Sequence, residues 1–248
     1  MVMHVKILGS GTILSNSRNS SGYLINIQNN LALMDCGPGI LNKLVSLNID
    51  PLSLSSLFLS HFHIDHYSDV LPVLMRRYLK NQQINRNFTI FGPVGLKYWF
   101  EIQSRLHGDW FSDNKPRLIE MHISEQKWAG WTVKSYPTRH TQNSIAFKFL
   151  KDGKSFFYSS DTDYDDALVN FAEKAQWAIL ECSHSDQNPV KGHLTPSTVA
   201  KFINNAALKN TVITHIYPEN DTADLLERIQ VFSDRDIQIG YDFMELEI

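Results

Sequence analysis

The sequence predicts an α/β protein layered around sheets, on three observations. Short β-branched and aromatic runs recur along the whole chain. Runs with apolar residues three and four apart lie between the later ones, and glycine, asparagine or aspartate punctuates the joins. Strand-like runs dominate early and alternate with helical runs later, the order that packs helices on sheets. In 248 residues, 43% hydrophobic and 20% charged, no proline- or serine-rich tract, long charge block or low-complexity stretch intervenes. A single domain over residues 1–248 is therefore expected.

The strand-like runs are HVKILGS (4–10), GYLINI (22–27), LALMD (31–35), SLFLS (56–60) and FTIFG (88–92). They continue with WTVKSYP (131–137), IAFKFL (145–150), SFFYSS (155–160), WAILEC (177–182) and TVITHI (211–216). Asp152-Gly153 suits a two-residue turn at positive φ, so 145–160 reads as a hairpin. Helical spacing covers 39–49, 66–80, 93–106, 195–208 and 221–232. Thr195-Pro196 supplies a capping residue followed by proline at the first helical position.

Composition removes several classes. A net charge of −3 gives no overall basic field for nucleic acid. No run of about 18 apolar residues is present, so no membrane-spanning helix is expected. The start, MVMHVKILGSG, reads as a strand and a glycine turn rather than a signal peptide. Two cysteines, Cys36 and Cys182, make neither a disulfide framework nor a four-sulfur zinc site. The cytoplasm is the expected compartment.

The polar residues are informative by position. SLFLS runs into His61, WTVKSYPTR into His140, SFFYSS into Asp161 and TVIT into His215. Side chains at strand ends on one sheet edge can converge on a point. Within HFHIDH, His61 and His63 are two apart and point to one side of an extended segment, with Phe62 and Ile64 inward. Asp65 and His66 then turn away at a helix start and can face a second point. Imidazoles and carboxylates suit zinc, manganese or iron. Two such metals about 3.5–4 Å apart would share a bridging carboxylate and a bridging hydroxide.

The HFHIDH segment, followed in order by His140, Asp161 and His215, resembles the metallo-β-lactamase-fold hydrolases. The resemblance implies a four-layer αββα sandwich with two divalent metal ions, zinc first and manganese or iron as alternatives. One would be held by His61, His63 and His140, the other by Asp65, His66 and His215, with Asp161 bridging. LALMDCGPG resembles the early Asp-x-Gly turn of these proteins, making Asp35 a carboxylate that orients a ligand.

LGSGTILSNSRNSSGYLI, with Arg18, Asn19 and Ser21, is similar to the N-terminal signature of the ribonuclease Z-like phosphodiesterases. AILECSH and GHLTPSTVAKF resemble two further segments of that branch. They imply His193 as proton donor to the leaving oxygen, tuned by Glu181, beside Asp65 in the catalytic set. Ribonuclease Z enzymes carry a long tRNA-gripping arm between the third histidine and the bridging aspartate. Here only 141–160 lie there, so the layout looks more like the cyclic-phosphate phosphodiesterase of phosphonate breakdown.

The expected substrate is accordingly a small or cyclic phosphodiester or nucleotide. Pre-tRNA is the less favoured alternative, no membrane partner is expected, and the resemblance implies a homodimer. Quorum-signal lactonases share the ligands, and Tyr164 resembles a tyrosine they place at the site. Thioesterases of the glyoxalase II type add a helical domain for which the residues after His215 are too few. A metal-binding accessory protein without turnover would carry a damaged ligand set, and here every position is filled. Arg76, Arg77, Lys80 and Arg86 read as a solvated helix face in preference to a phosphate site. Trp99, Trp110 and Phe111 fit an aromatic substrate wall and a core or dimer surface equally. His4, His107, His122 and His184 read as structural or exposed.

Overall fold

The computed structural model describes residues 2–80 and 88–248. Two seven-stranded sheets face each other. The first has the order β14 (Glu245–Glu247), β1 (His4–Gly9), β2 (Gly22–Ile27), β3 (Asn30–Cys36), β4 (Leu54–Phe58), β5 (Thr89–Pro93), β6 (Arg117–Met121). The second runs β13 (Asp236–Ile239), β12 (Asn210–Thr214), β11 (Trp177–Glu181), β10 (Lys154–Tyr158), β9 (Ile145–Lys151), β8 (Trp131–Pro137), β7 (Ser124–Trp128). Each sheet is antiparallel on one side and parallel on the other, the parallel sets being β3 to β6 and β10 to β13.

Strand periodicity builds the layers. In β10, Phe156 and Tyr158 enter the apolar layer between the sheets while Phe157 faces the outer helices. In β4, Phe58 points inward and Leu57 outward. Outside the first sheet lie α1 (Ile40–Ser46), α3 (Val70–Lys80), α4 (Leu96–His107) and α5 (Asp109–Ser112). Outside the second lie α6 (Asp166–Ala172), α7 (Pro196–Asn205) and α8 (Leu225–Gln230). Three apolar layers separated by two sheets make the αββα sandwich. Among the described residues no helix is long and apolar enough to cross a membrane.

All ten expected strands and the five helical regions are present. Asp152 and Gly153 both take positive φ in the β9–β10 turn, and Thr195 caps α7 in a reciprocal pair with Thr198. The 66–80 run divides into α2 (Ile64–Tyr67) and α3 because Asp69 serves other partners. Its amide donates to the Cys36 carbonyl at 2.9 Å, and its carboxylate accepts from the Leu41 amide at 2.9 Å. Ile64, expected to face inward, begins α2 and is 55% exposed.

Arg77 is buried, donates to the Pro51 carbonyl at 2.7 Å and stacks on Phe88, while Lys80 pairs with Asp50 at 2.9 Å. Arg77 is thus bound within the scaffold, Lys80 keeps to the solvated helix face in a surface pair, and Arg86 lies outside the described residues. Trp99 and Phe111 are buried in the layer behind the first sheet, with Trp110 packed against it.

Phe58 sits at the centre of the inter-sheet layer, with ring centroids 4.7 Å from Phe91, 5.4 Å from Trp128 and 5.3 Å from Phe149. Phe58→Ala is expected to lower the unfolding free energy by about 3–5 kcal/mol in guanidinium titrations. A loss under about 1 kcal/mol would contradict this packing.

Candidate metal centre

The expected residues meet at one edge of the sandwich. Asp35 is the penultimate residue of β3, His61 to His66 follow β4, His140 follows β8, Asp161 follows β10, Glu181 ends β11 and His215 follows β12. These strands all leave their carboxyl ends at that edge, where α/β sheets present open crevices. A close backbone approach completes it, because a Cβ on Gly37 would lie 2.0 Å from the Asp65 carbonyl oxygen. Only glycine lets the Asp35 turn sit against the metal-motif helix.

His61, His63, His140 and Asp161 each offer a ligand atom within 4.8 Å of one another, and so do Asp65, His66 and His215. The Oδ2 atom of Asp161 lies between them, 3.7 Å from His61 Nε2, 3.6 Å from His140 Nε2, 3.3 Å from His66 Nε2 and 3.4 Å from His215 Nε2. His215 Nε2 is also 3.5 Å from Asp65. Asp161 and His215 form a third such group with His193.

The groups behind these rings assign their tautomers. His66 Nδ1 donates to Asp35 at 2.8 Å and His140 Nδ1 to the Gly192 carbonyl at 2.9 Å. In their neutral forms both rings therefore turn an Nε2 lone pair inward, His66 against His215 Nε2 at 3.2 Å and His140 against His63 Nδ1 at 2.9 Å. His61 Nε2 and Asp161 Oδ1 are buried without a hydrogen-bond partner. Convergent lone pairs and orphaned buried acceptors are unfavourable unless positive charge lies between them. The donor set, imidazole nitrogen with carboxylate oxygen, fits divalent cations of the zinc, manganese and iron type.

Titration behaviour shows how strongly this edge draws positive charge, here as a proton on His66 where a cation would otherwise sit. Burial and the neighbouring His66 push His61 down. Burial would raise Asp161, but His215 and His66 outweigh it and hold the carboxyl well below the usual range. Burial would lower His66, yet Asp161 and Asp35 outweigh it and the net shift is upward.

Beside the cluster, His193 Nδ1 lies 3.1 Å from both carboxylate oxygens of Glu181. Burial would lower His193, but the Glu181 charge prevails and raises it to about 9. The Thr162 amide and the Ser183 hydroxyl also donate to Glu181.

Several residues of this edge carry no sequence pattern. Ser183 lies 2.9 Å from His215 Nδ1, and Ser60 lies 3.0 Å from His61 Nδ1 while donating to Asp35 at 2.8 Å. His184, read as structural or exposed, stacks on Tyr217 at 4.5 Å and lies 5.5 Å from His193. Its position beside Glu181 in ECSH was the available signal. The signature residues Arg18 and Asn19 are bound within the scaffold. Arg18 forms a two-point pair with Asp221 at 2.8 and 2.9 Å, and the Asn19 side chain donates to the Pro38 carbonyl at 2.6 Å. Tyr164 packs against α7, its hydroxyl donating to Asp166 and accepting from Asn205.

Comparison with known proteins agrees with this geometry. A family model described as Anti-Pycsar protein Apyc1 matches residues 3–230. Ribonuclease Z of Methanosarcina mazei is 23% identical over 307 residues, covering 100% of this chain and 98% of the relative. The crystal structure of the metallo-beta-lactamase fold protein YhfI from Bacillus subtilis superposes with a TM-score of 0.89 at 20% identity, covering 100% of both chains. The human short-form tRNase Z structure gives a TM-score of 0.76 at 21% identity, covering 98% of each chain. The chain belongs to the Anti-Pycsar protein Apyc1 family and is a metal-dependent hydrolase with the metallo-β-lactamase fold, of the ribonuclease Z and phosphodiesterase type.

Proposed function

We propose that the protein hydrolyses a small or cyclic phosphodiester, nucleotides included, at a centre holding two divalent cations, with zinc the first choice. His61, His63 and His140 would hold one cation, Asp65, His66 and His215 the other, and Asp161 would serve both. When bound, such cations lower the pKa of water and neutralise charge on phosphoryl oxygens. The protein's own groups do the rest. Asp35, Ser60, Ser183 and the Gly192 carbonyl fix the ring orientations, so the centre is preorganised.

The single observation that carries the phosphodiester reading is the His193–Glu181 pair set against Asp161 and His215. An alkoxide leaving from phosphorus needs a proton, and a histidine at this edge with a carboxylate behind Nδ1 presents one from Nε2. Asp65 completes the catalytic set as the carboxylate that would hold the second cation beside His66 and His215, its oxygen 3.5 Å from His215 Nε2.

Substrate size is argued from the chain between His140 and Asp161. It forms the β9–β10 hairpin with a two-residue turn, and no extended arm rises from it. The alignment with the Methanosarcina ribonuclease Z spans 307 positions against the 248 of this chain, so that relative carries segments this chain lacks. A net charge of −3 also disfavours a polyanion. Processing of pre-tRNA stays as the second reading, favoured by full-length likeness to that enzyme. Lactone hydrolysis loses support because the Tyr164 hydroxyl is taken by Asp166 and Asn205.

Asp161→Ala is expected to lower bound metal and abolish turnover. Full activity at normal metal loading in that variant would end the dinuclear reading. His193→Ala should retain its metal and lose roughly 10²–10⁴ in kcat on phosphodiesters. An unchanged kcat would remove the proton-donor role. Treatment with a chelator should silence the enzyme, and zinc, manganese or iron should be tested for restoration. Bis-p-nitrophenyl phosphate and a 3′,5′-cyclic nucleotide should be cleaved, assayed beside a lactone, nitrocefin and a pre-tRNA. Preferential cleavage of the pre-tRNA would establish the second reading instead.

A further inference from the structure

Two tyrosines cross between the sheets behind the cluster, in opposite directions. Tyr158, on β10 of the second sheet, donates to Asp35 Oδ2 in the first sheet at 2.6 Å. Tyr23, on β2 of the first sheet, shares a 2.9 Å hydrogen bond with Thr214, the last residue of β12 in the second. Both side chains are buried, and their rings lie 5.1 Å apart. Each hydroxyl ends one step from a histidine of the cluster. The Asp35 oxygen that accepts from Tyr158 also accepts from His66 Nδ1 at 2.8 Å, and Thr214 directly precedes His215. His66 and His215 come from opposite sheets, with their Nε2 atoms 3.2 Å apart.

The geometry points to Tyr158, with Tyr23 as its counterpart, as a positioning residue that holds His66 at a fixed distance from His215. By this means it sets the cation affinity of the Asp65–His66–His215 group and leaves that of the His61–His63–His140 group largely alone. The inference rests on the dinuclear reading above.

The selectivity follows from how each group is braced. Asp35 Oδ2 accepts three hydrogen bonds, from Ser60, His66 and Tyr158, and only Tyr158 belongs to the second sheet. Without that hydroxyl the carboxylate keeps its first-sheet donors and loses its tether to the sheet that carries His215. His140 is braced separately, by the Gly192 carbonyl at 2.9 Å. His61 Nδ1 lies between the Ser60 and Ser160 hydroxyls, at 3.0 and 3.5 Å. Ser60 is also fixed through its own amide, which donates to Asp35 Oδ1 at 2.8 Å. The His140 brace does not involve Asp35, and the Ser60 bonds to Asp35 stay within the first sheet, so neither includes the phenol directly.

The test is calorimetric titration of metal-free protein with zinc. His66→Ala and His63→Ala identify which binding step belongs to which group. Tyr158→Phe keeps the ring, and should weaken the step that His66→Ala removes by roughly tenfold while leaving the other within about twofold. Tyr23→Phe should shift the same step in the same direction, by less. Phe147→Leu, in the same core layer and paired in register with Tyr158, controls for general loosening between the sheets. It should lower the melting temperature and spare both steps.

Three results would overturn the inference: both steps unchanged in Tyr158→Phe, both weakened alike, or the selective loss reproduced by Phe147→Leu. Failure of the unsubstituted protein to take up two cations is a different result, and it removes the dinuclear reading together with the inference built on it.

Discussion

The structure depends on one buried carboxylate between two sheets. Asp161 Oδ2 lies within 3.3–3.7 Å of four imidazole nitrogens, two following β4 in the first sheet and two following strands of the second. A buried anion surrounded by inward lone pairs is unstable without compensating charge. The same arrangement becomes favourable once cations sit among the donors. The edge of the sandwich is therefore built to hold positive charge that its neutral rings do not contain, and the rings are held by partners behind them.

Those partners explain why the fold and the chemistry are difficult to separate. Asp35, near the end of β3, orients His66, anchors Ser60 and receives a phenol from the opposite sheet. Gly37, two residues on, allows the backbone contact that brings Asp65 alongside. Ser183 stands between Glu181, His215 and His193, so three side chains of the second sheet's edge share one hydroxyl. Changes at these positions act on geometry across both sheets, and a loss of activity from them does not by itself identify a reacting group.

Much of this was legible in the sequence. HFHIDH followed by His140, Asp161 and His215 locates the edge, because histidines and aspartates at strand ends have few structural uses in such density. Central strands were legible through their apolar content. The edge strands were not, since SEQKW in β7 and DIQI in β13 carry alternating polar residues that face solvent and read as loop. The short α5 and α6 lack the length for a periodic signal. Ser60, Tyr158, Ser183 and Tyr217 were invisible because their importance comes from tertiary contacts, of which the Tyr158 bond to Asp35 crosses between the sheets. Arg77 looked like part of a basic surface, and only the packing shows it turned inward against carbonyls.

The most direct measurement is anomalous diffraction from crystals grown with zinc or manganese. Two peaks should flank the Asp161 carboxylate, one among His61, His63 and His140 and the other among Asp65, His66 and His215. No anomalous density there in well-ordered crystals, or a single ion that leaves Asp161 uncoordinated, would contradict the centre on which the proposed chemistry is built.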